Sequence, residues 1–177
     1  IPVYEEDGFK YRPDDIRQRI TPQTRGILIN SPSNPTGVVL SGSDLQAVAD
    51  LGPVIISDEI YNGLNYEDED HTILEYTDRA FVINGFSKLY AMTGWRLGWA
   101  VAPARIIKYL NALQTHSLTC CVSFVQEAAV EALNGPQDSV ADMVKEFRAR
   151  RELVMEHLRE IPTLNCDAPH GAFYLFP

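Results

Sequence analysis

Two side chains set the chemical possibilities of this chain. Lys88 stands where a short apolar run, 81–83, breaks into a Gly/Ser turn, and Arg96 follows eight positions later in a second loop that carries Gly94. An amine can condense with an aldehyde to an imine, and a guanidinium can fork onto a phosphate. The pair therefore suits an electrophilic, phosphate-bearing cofactor. It is also compatible with a plain strand–loop–strand carrying a solvated lysine. Stretch 81–103, FVINGFSKLYAMTGWRLGWAVAP, closes on another apolar run at 97–102, and the rest of the chain is organised around it.

The elements that must position these groups are readable from punctuation and periodicity. A charged lead-in reaches a short helix around 16–20 and the turn TPQT. GILIN, 26–30, is a continuous apolar run of strand length, as expected for a strand covered on both faces. It ends in SPSNPTG, 31–37, a loop dense in turn formers. Ser43 is an apt N-cap for a helix over 44–51, with Leu45, Val48 and Leu51 on one side and Gly52-Pro53 as its stop. A second buried strand over 54–57 runs at once into Asp58-Glu59-Ile60-Tyr61. An acidic stretch, EDEDH at 67–71, and a helical turn then lead to the 81–83 strand.

This rhythm is that of a doubly wound α/β sheet. Polar groups sit just past the end of each of its strands: Asn34, then Asp58 with Tyr61, then Ser87 with Lys88. Open α/β sheets bind ligands at that edge. Helices are expected over 104–113, 123–133 and 140–161, the last with a core-facing stripe of Val140, Met143, Val144, Phe147, Val154, Leu158 and Ile161. Two strands, 163–166 and 172–176, are expected on either side of the turn APHG.

Composition narrows the class. The 177 residues carry a formal net charge of −9, which argues against nucleic acid or an anionic membrane as partner. No apolar run approaches the roughly 20 residues that span a bilayer, and the N-terminus has no secretory character. Cys120, Cys121 and Cys166 offer neither a disulfide framework nor metal spacing, and the four histidines are scattered, so no metal site is expected and a reducing cytoplasm fits. The chain opens on Ile1 rather than Met, and a piece of a longer protein is expected.

The four motifs N-P-T-G (34–37), D-E-x-Y (58–61), the Lys88 turn and T-G-W-R-x-G (93–98) stand in an order that resembles class I and II aminotransferases, the fold-type I enzymes that use pyridoxal phosphate (PLP). The resemblance extends from the lead-in before Gly26 to the terminal PHGAFYLFP. It implies that Lys88 forms the imine with PLP, that Asp58 keeps the pyridine nitrogen protonated, and that Tyr61 and Asn34 donate to the cofactor's phenolic oxygen. Arg96 is implied as the phosphate clamp and Ser87 as a further phosphate contact. The family's serine three positions before the lysine is Gly85 here, so only Ser87 stands for that role. Family members carry a cis bond at this Asn-Pro, and Asn34-Pro35 is expected to share it.

The implied fold is α/β: a doubly wound, mostly parallel large domain, present in part over 1–135, then the start of a small α+β C-terminal domain over 136–177. The implied activity is amino-group transfer between an amino acid and a 2-oxo acid, in a homodimer, with the isolated chain inactive. The family's glycine-containing phosphate loop, its ring-stacking aromatic and the arginine for the substrate carboxylate have no counterpart in these residues. Three rivals look alike over this region: a C–S lyase, a cyclopropane-forming synthase, and the PLP-sensing half of a GntR-type transcription regulator.

Overall fold

The computed structural model describes residues 1–67 and 69–177; Asp68, inside the acidic 67–71 stretch, lies outside the described residues. Strand β1 is Gly26–Asn30, β2 is Val54–Asp58, β3 is Ala80–Gly85 and β4 is Gly98–Val101. They form a four-stranded sheet in chain order. β1, β2 and β3 run parallel, with Asn30 beside Asp58 and Asp58 beside Ile83, so the ends of all three lie along one edge. β4 returns antiparallel to β3, pairing Gly98 with Gly85. Those two glycines are a steric requirement. A Cβ on Gly85 would stand 2.9 Å from the Gly98 Cα, and one on Gly98 would stand 2.9 Å from the Asn84 carbonyl. Their absence lets the strands meet closely where Lys88 leaves β3 and Arg96 leads into β4.

Helix α1 is Pro13–Arg19, with proline at its start, Asp14 and Asp15 in the first turn and Arg17 and Arg19 in the last, an arrangement that suits the helix dipole. Helix α2 is Gly42–Ala49, the crossover between β1 and β2. Its cap is Ser41, not Ser43: the Ser41 hydroxyl accepts from the Asp44 N–H, and the Asp44 carboxylate accepts from the Ser41 N–H at 2.9 Å. This reciprocal box places Asp44 three residues after the cap and starts the helix earlier than the serine at 43 would.

Ile16 of α1, Leu45 and Val48 of α2, and Ile73 of the 3-10 turn Ile73–Glu75 pack on Ile29, Ile55 and Val82 to make the core. They cover one sheet face. On the other, Leu28 is 70%, Ile56 39% and Ile83 43% exposed. Within these residues β1 is covered on one face only: alternate side chains of the apolar run point to opposite faces, and the described helices lie over one of them.

Helices α3 (Ala104–Leu118), α4 (Ser123–Asn134) and α5 (Asp138–Arg159) follow. The α5 stripe is only in part core. Met143, Val144 and Phe147 pack on a second cluster formed by Tyr61, Leu64 and Ala172, and Met155 is buried, whereas Val154 and Ile161 are exposed. No strand forms at 163–166 or 172–176; the backbone there makes a single bridge, Gly171 to Asn65. Ala172 takes the left-handed conformation, with φ 56°, which interrupts an extended run.

Candidate functional site at the carboxyl edge of the sheet

Asn34 lies in the loop after β1, whose Ser31-Pro32 and Asn34-Pro35 bonds are both cis. The loop is tied down from both sides. The Asn34 N–H donates to the Asn30 side-chain oxygen at 2.7 Å, while the Asn30 amide and the Ser31 N–H donate to the Asp58 carbonyl at 3.0 and 3.2 Å.

At the end of β2 the Asp58 carboxylate accepts from the Ile60 N–H at 3.2 Å, forming a tight turn that turns Tyr61 inward. The neighbouring Glu59 is buried, and a single oxygen of it accepts from the Ser57 hydroxyl (2.9 Å), the Thr72 hydroxyl (3.1 Å) and the Ile73 N–H (3.1 Å). Burial lifts the Glu59 carboxyl above its ordinary range, against the pull of those three donors. Its backbone N–H reaches the Ile83 carbonyl at 2.9 Å. Glu59 thus fastens the Asp58–Tyr61 turn to both β3 and the 3-10 turn.

After β3, Phe86 is buried and Ser87 and Lys88 are half-buried in the turn that follows. The Lys88 ammonium nitrogen sits 5.4 Å from the centre of the Tyr61 ring and 5.4 Å from that of Phe173, within range of a cation–π contact with each. Arg96 stands at the end of the 3-10 turn Thr93–Trp95 in the left-handed conformation, and its guanidinium donates to the Thr93 carbonyl at 2.8 Å. It is exposed and borders an open groove shared with Trp95, Gln114, Cys121 and Phe124.

The expected residues do not all meet at one point. Lys88, Tyr61, Asn34 and Asp58 form one group around the Tyr61 phenol: the Lys88 nitrogen lies over its ring, and Asn34 and Asp58 lie near enough to act on its hydroxyl. Ser87 shares the turn of Lys88, and Arg96 stands just before β4, at the same edge of the sheet. Tyr61 is 4% exposed, and its phenol is held well above the ordinary range, first by burial and then by the Tyr174 hydroxyl 2.5 Å away. Asn34 pulls the other way and Asp58 adds to the rise.

Phe173 and Tyr174 escaped the sequence reading. They stand in GAFYLFP, read as a strand, with no spacing that links them to residue 61. One signal was available, the glycine before them. A Cβ on Gly171 would come within 2.8 Å of the Leu64 carbonyl and 2.9 Å of the Pro32 side chain, so the backbone can settle against both loops only with glycine there.

The donor set fits an aldehyde- and phosphate-bearing ring. An amine, a carboxylate, a phenol and an amide gather along one edge, and a guanidinium with four N–H groups beyond its bond to Thr93 stands just before the adjoining strand. The comparisons agree with this chemistry. The family described as Aminotransferase class I and II matches residues 1–177. The chain is 40% identical to an aspartate aminotransferase of Geobacillus stearothermophilus and 39% identical to aromatic-amino-acid aminotransferase 2 of Thermococcus litoralis, in each case over all of this chain and 48% of the relative. Among solved structures it superposes on an aromatic aminotransferase from Pyrococcus horikoshii OT3 with a TM-score of 0.95 at 41% identity, covering 100% of this chain and 50% of that one. A Thermus thermophilus aspartate aminotransferase double mutant gives 0.93 at 36%, covering 98% and 47%. The chain spans about half the length of the relatives it matches. With this sheet, these loops and these likenesses together, it belongs to the class I and II aminotransferase family and has its α/β, fold-type I architecture.

Proposed function

We propose that the protein containing this chain is a PLP-dependent aminotransferase that moves an amino group between an amino acid and a 2-oxo acid. The observation that carries the reading is the Lys88 amine set 5.4 Å over the Tyr61 ring, with Asn34 and Asp58 beside that phenol, at the carboxyl edge of a parallel sheet. Bound there, PLP supplies an aldehyde for an amine and a ring that stores electrons. Lys88 would hold the cofactor covalently and, once displaced by the substrate amine, its free amine would serve as the base that moves the substrate Cα proton. Asp58 keeps the ring nitrogen protonated. Tyr61 and Asn34 donate to the ring oxygen, and Arg96, with Ser87, holds the phosphate.

In this reading residues 1–135 are the second half of the large domain and 136–177 the start of the small one. The whole protein works as a cytoplasmic homodimer, and the isolated chain binds PLP poorly and is inactive. The test uses the intact protein: incubate with PLP, reduce with borohydride, and map the labelled peptide. A label on Lys88, with amino-group transfer in a substrate screen, is the expected result. Lys88→Ala should lower transfer by at least about 10²-fold. A folded protein with no labelled peptide overturns the proposal.

A further inference from the structure

We infer that Tyr174 is a positioning residue of this site: its hydroxyl holds the Tyr61 phenol in the orientation in which that phenol donates to the bound cofactor. The inference rests on the cofactor reading above and assigns a role to a residue that no motif in the chain marks. Three observations carry it.

The two hydroxyls are 2.5 Å apart although 113 positions separate them in the chain. The Tyr61 ring is boxed edge-on by Tyr174 (centres 5.5 Å apart, planes at 77°) and by Phe173 (5.4 Å, 81°), so it has little freedom to turn. The segment that carries Tyr174 is anchored by its backbone: the Ala172 N–H donates to the Leu64 carbonyl at 2.8 Å, the Tyr66 N–H to the His170 carbonyl at 2.8 Å, and the Gly171 N–H to the Gly37 carbonyl at 2.9 Å. Ala172 itself is fully buried.

The chemistry follows from counting protons. Tyr61 has one O–H, and the Tyr174 hydroxyl stands 2.5 Å from its oxygen. Either phenol can donate in the pair. When Tyr174 donates, the Tyr61 proton is free to point at a cofactor oxygen, and a donor at its own oxygen strengthens the bond it gives. Among the described residues, the titratable groups acting at Tyr61 are Tyr174, Asp58 and Lys88, and α5 meets this cluster with the apolar Met143, Val144 and Phe147. Without the Tyr174 hydroxyl, Tyr61 becomes a weaker donor, the cofactor's ring oxygen keeps a firmer hold on the proton it shares with the Lys88 nitrogen, and that proton leaves at higher pH.

The experiment is a pH titration of the visible absorbance of PLP bound to the intact protein, in wild type, Tyr174→Phe, Tyr61→Phe and the double variant, with thermal unfolding followed in parallel. Losing one such hydrogen bond should raise the Tyr174→Phe midpoint by about half to one pH unit. Tyr61→Phe should raise it as well, and the double variant should match Tyr61→Phe alone, because Tyr174 acts through Tyr61. An unmoved midpoint overturns the inference even if the melting temperature falls, since that is what a purely structural tyrosine would do. A double variant displaced beyond Tyr61→Phe overturns it too, because Tyr174 would then act directly. Failure of wild type to label at Lys88 removes the cofactor reading and this inference together. A normal label with an unmoved midpoint removes only the inference.

Discussion

Glu59 shows how one side chain can fasten the loops of a candidate site. Three donors converge on one of its oxygens, and its folded carboxyl keeps a proton to higher pH than the unfolded chain would, where the ordinary value is 4.5. Between that value and the raised one the folded state binds more protons, so this group's contribution to stability is present at the acid end and is lost as pH rises. Glu59→Gln does not titrate. Denaturant unfolding of the intact protein at a series of pH values above 4.5 should therefore show wild type gaining on Glu59→Gln as pH falls. A gap that does not change with pH would mean that Glu59 titrates normally.

Among the elements, α2 depends most visibly on a local signal. Removing the Ser41 hydroxyl breaks half of the capping box, and Ser41→Ala should destabilise the intact protein by about 1 kcal/mol at neutral pH, read as a shift in the denaturation midpoint. Burial opposes the Asp44 charge, but the Ser41 hydrogen bonds and the Lys10 ammonium, 3.4 Å away, outweigh it and hold the carboxyl below 3.8. That stabilisation is present above 3.8 and disappears as pH falls through the lowered value, a window separate from that of Glu59. The box was written in the sequence as Ser41-Gly-Ser-Asp44, and choosing Ser43 overlooked that the acid must fall three residues after its cap.

The strands were legible for a simpler reason: β1, β2 and β3 are short apolar runs between turn formers, so their ends, where the candidate groups stand, could be placed from local pattern alone. Residues 172–176 have the same apolar look, yet a strand needs a neighbour with free backbone groups, and Ala172 instead turns left-handed onto Leu64. Tyr174 was illegible because its meeting with Tyr61 exists only after folding.

At the scale of the whole molecule, the exposed Leu28, Ile56 and Ile83 on the sheet, with Tyr109, Leu113 and Leu118 of α3 at 62–71% exposure, leave broad apolar surface on this chain. Isolated residues 1–177 should bind a hydrophobic dye and elute in gel filtration as species larger than a dimer, while the intact protein stays dark and elutes as a dimer. An isolated chain that stays monomeric and dark would show that these faces need no cover.

The order of the sheet also has a consequence in time. Strands stand side by side in the order in which they occur in the chain, so on the ribosome each of β2, β3 and β4 emerges to find the strand it pairs with already synthesised. The loops bearing Asn34 and Asp58 leave the exit tunnel before Lys88 does. Tyr174 emerges last of this group, so the contact between the two phenols can form only after the loops bearing Asn34, Asp58 and Lys88 have been made.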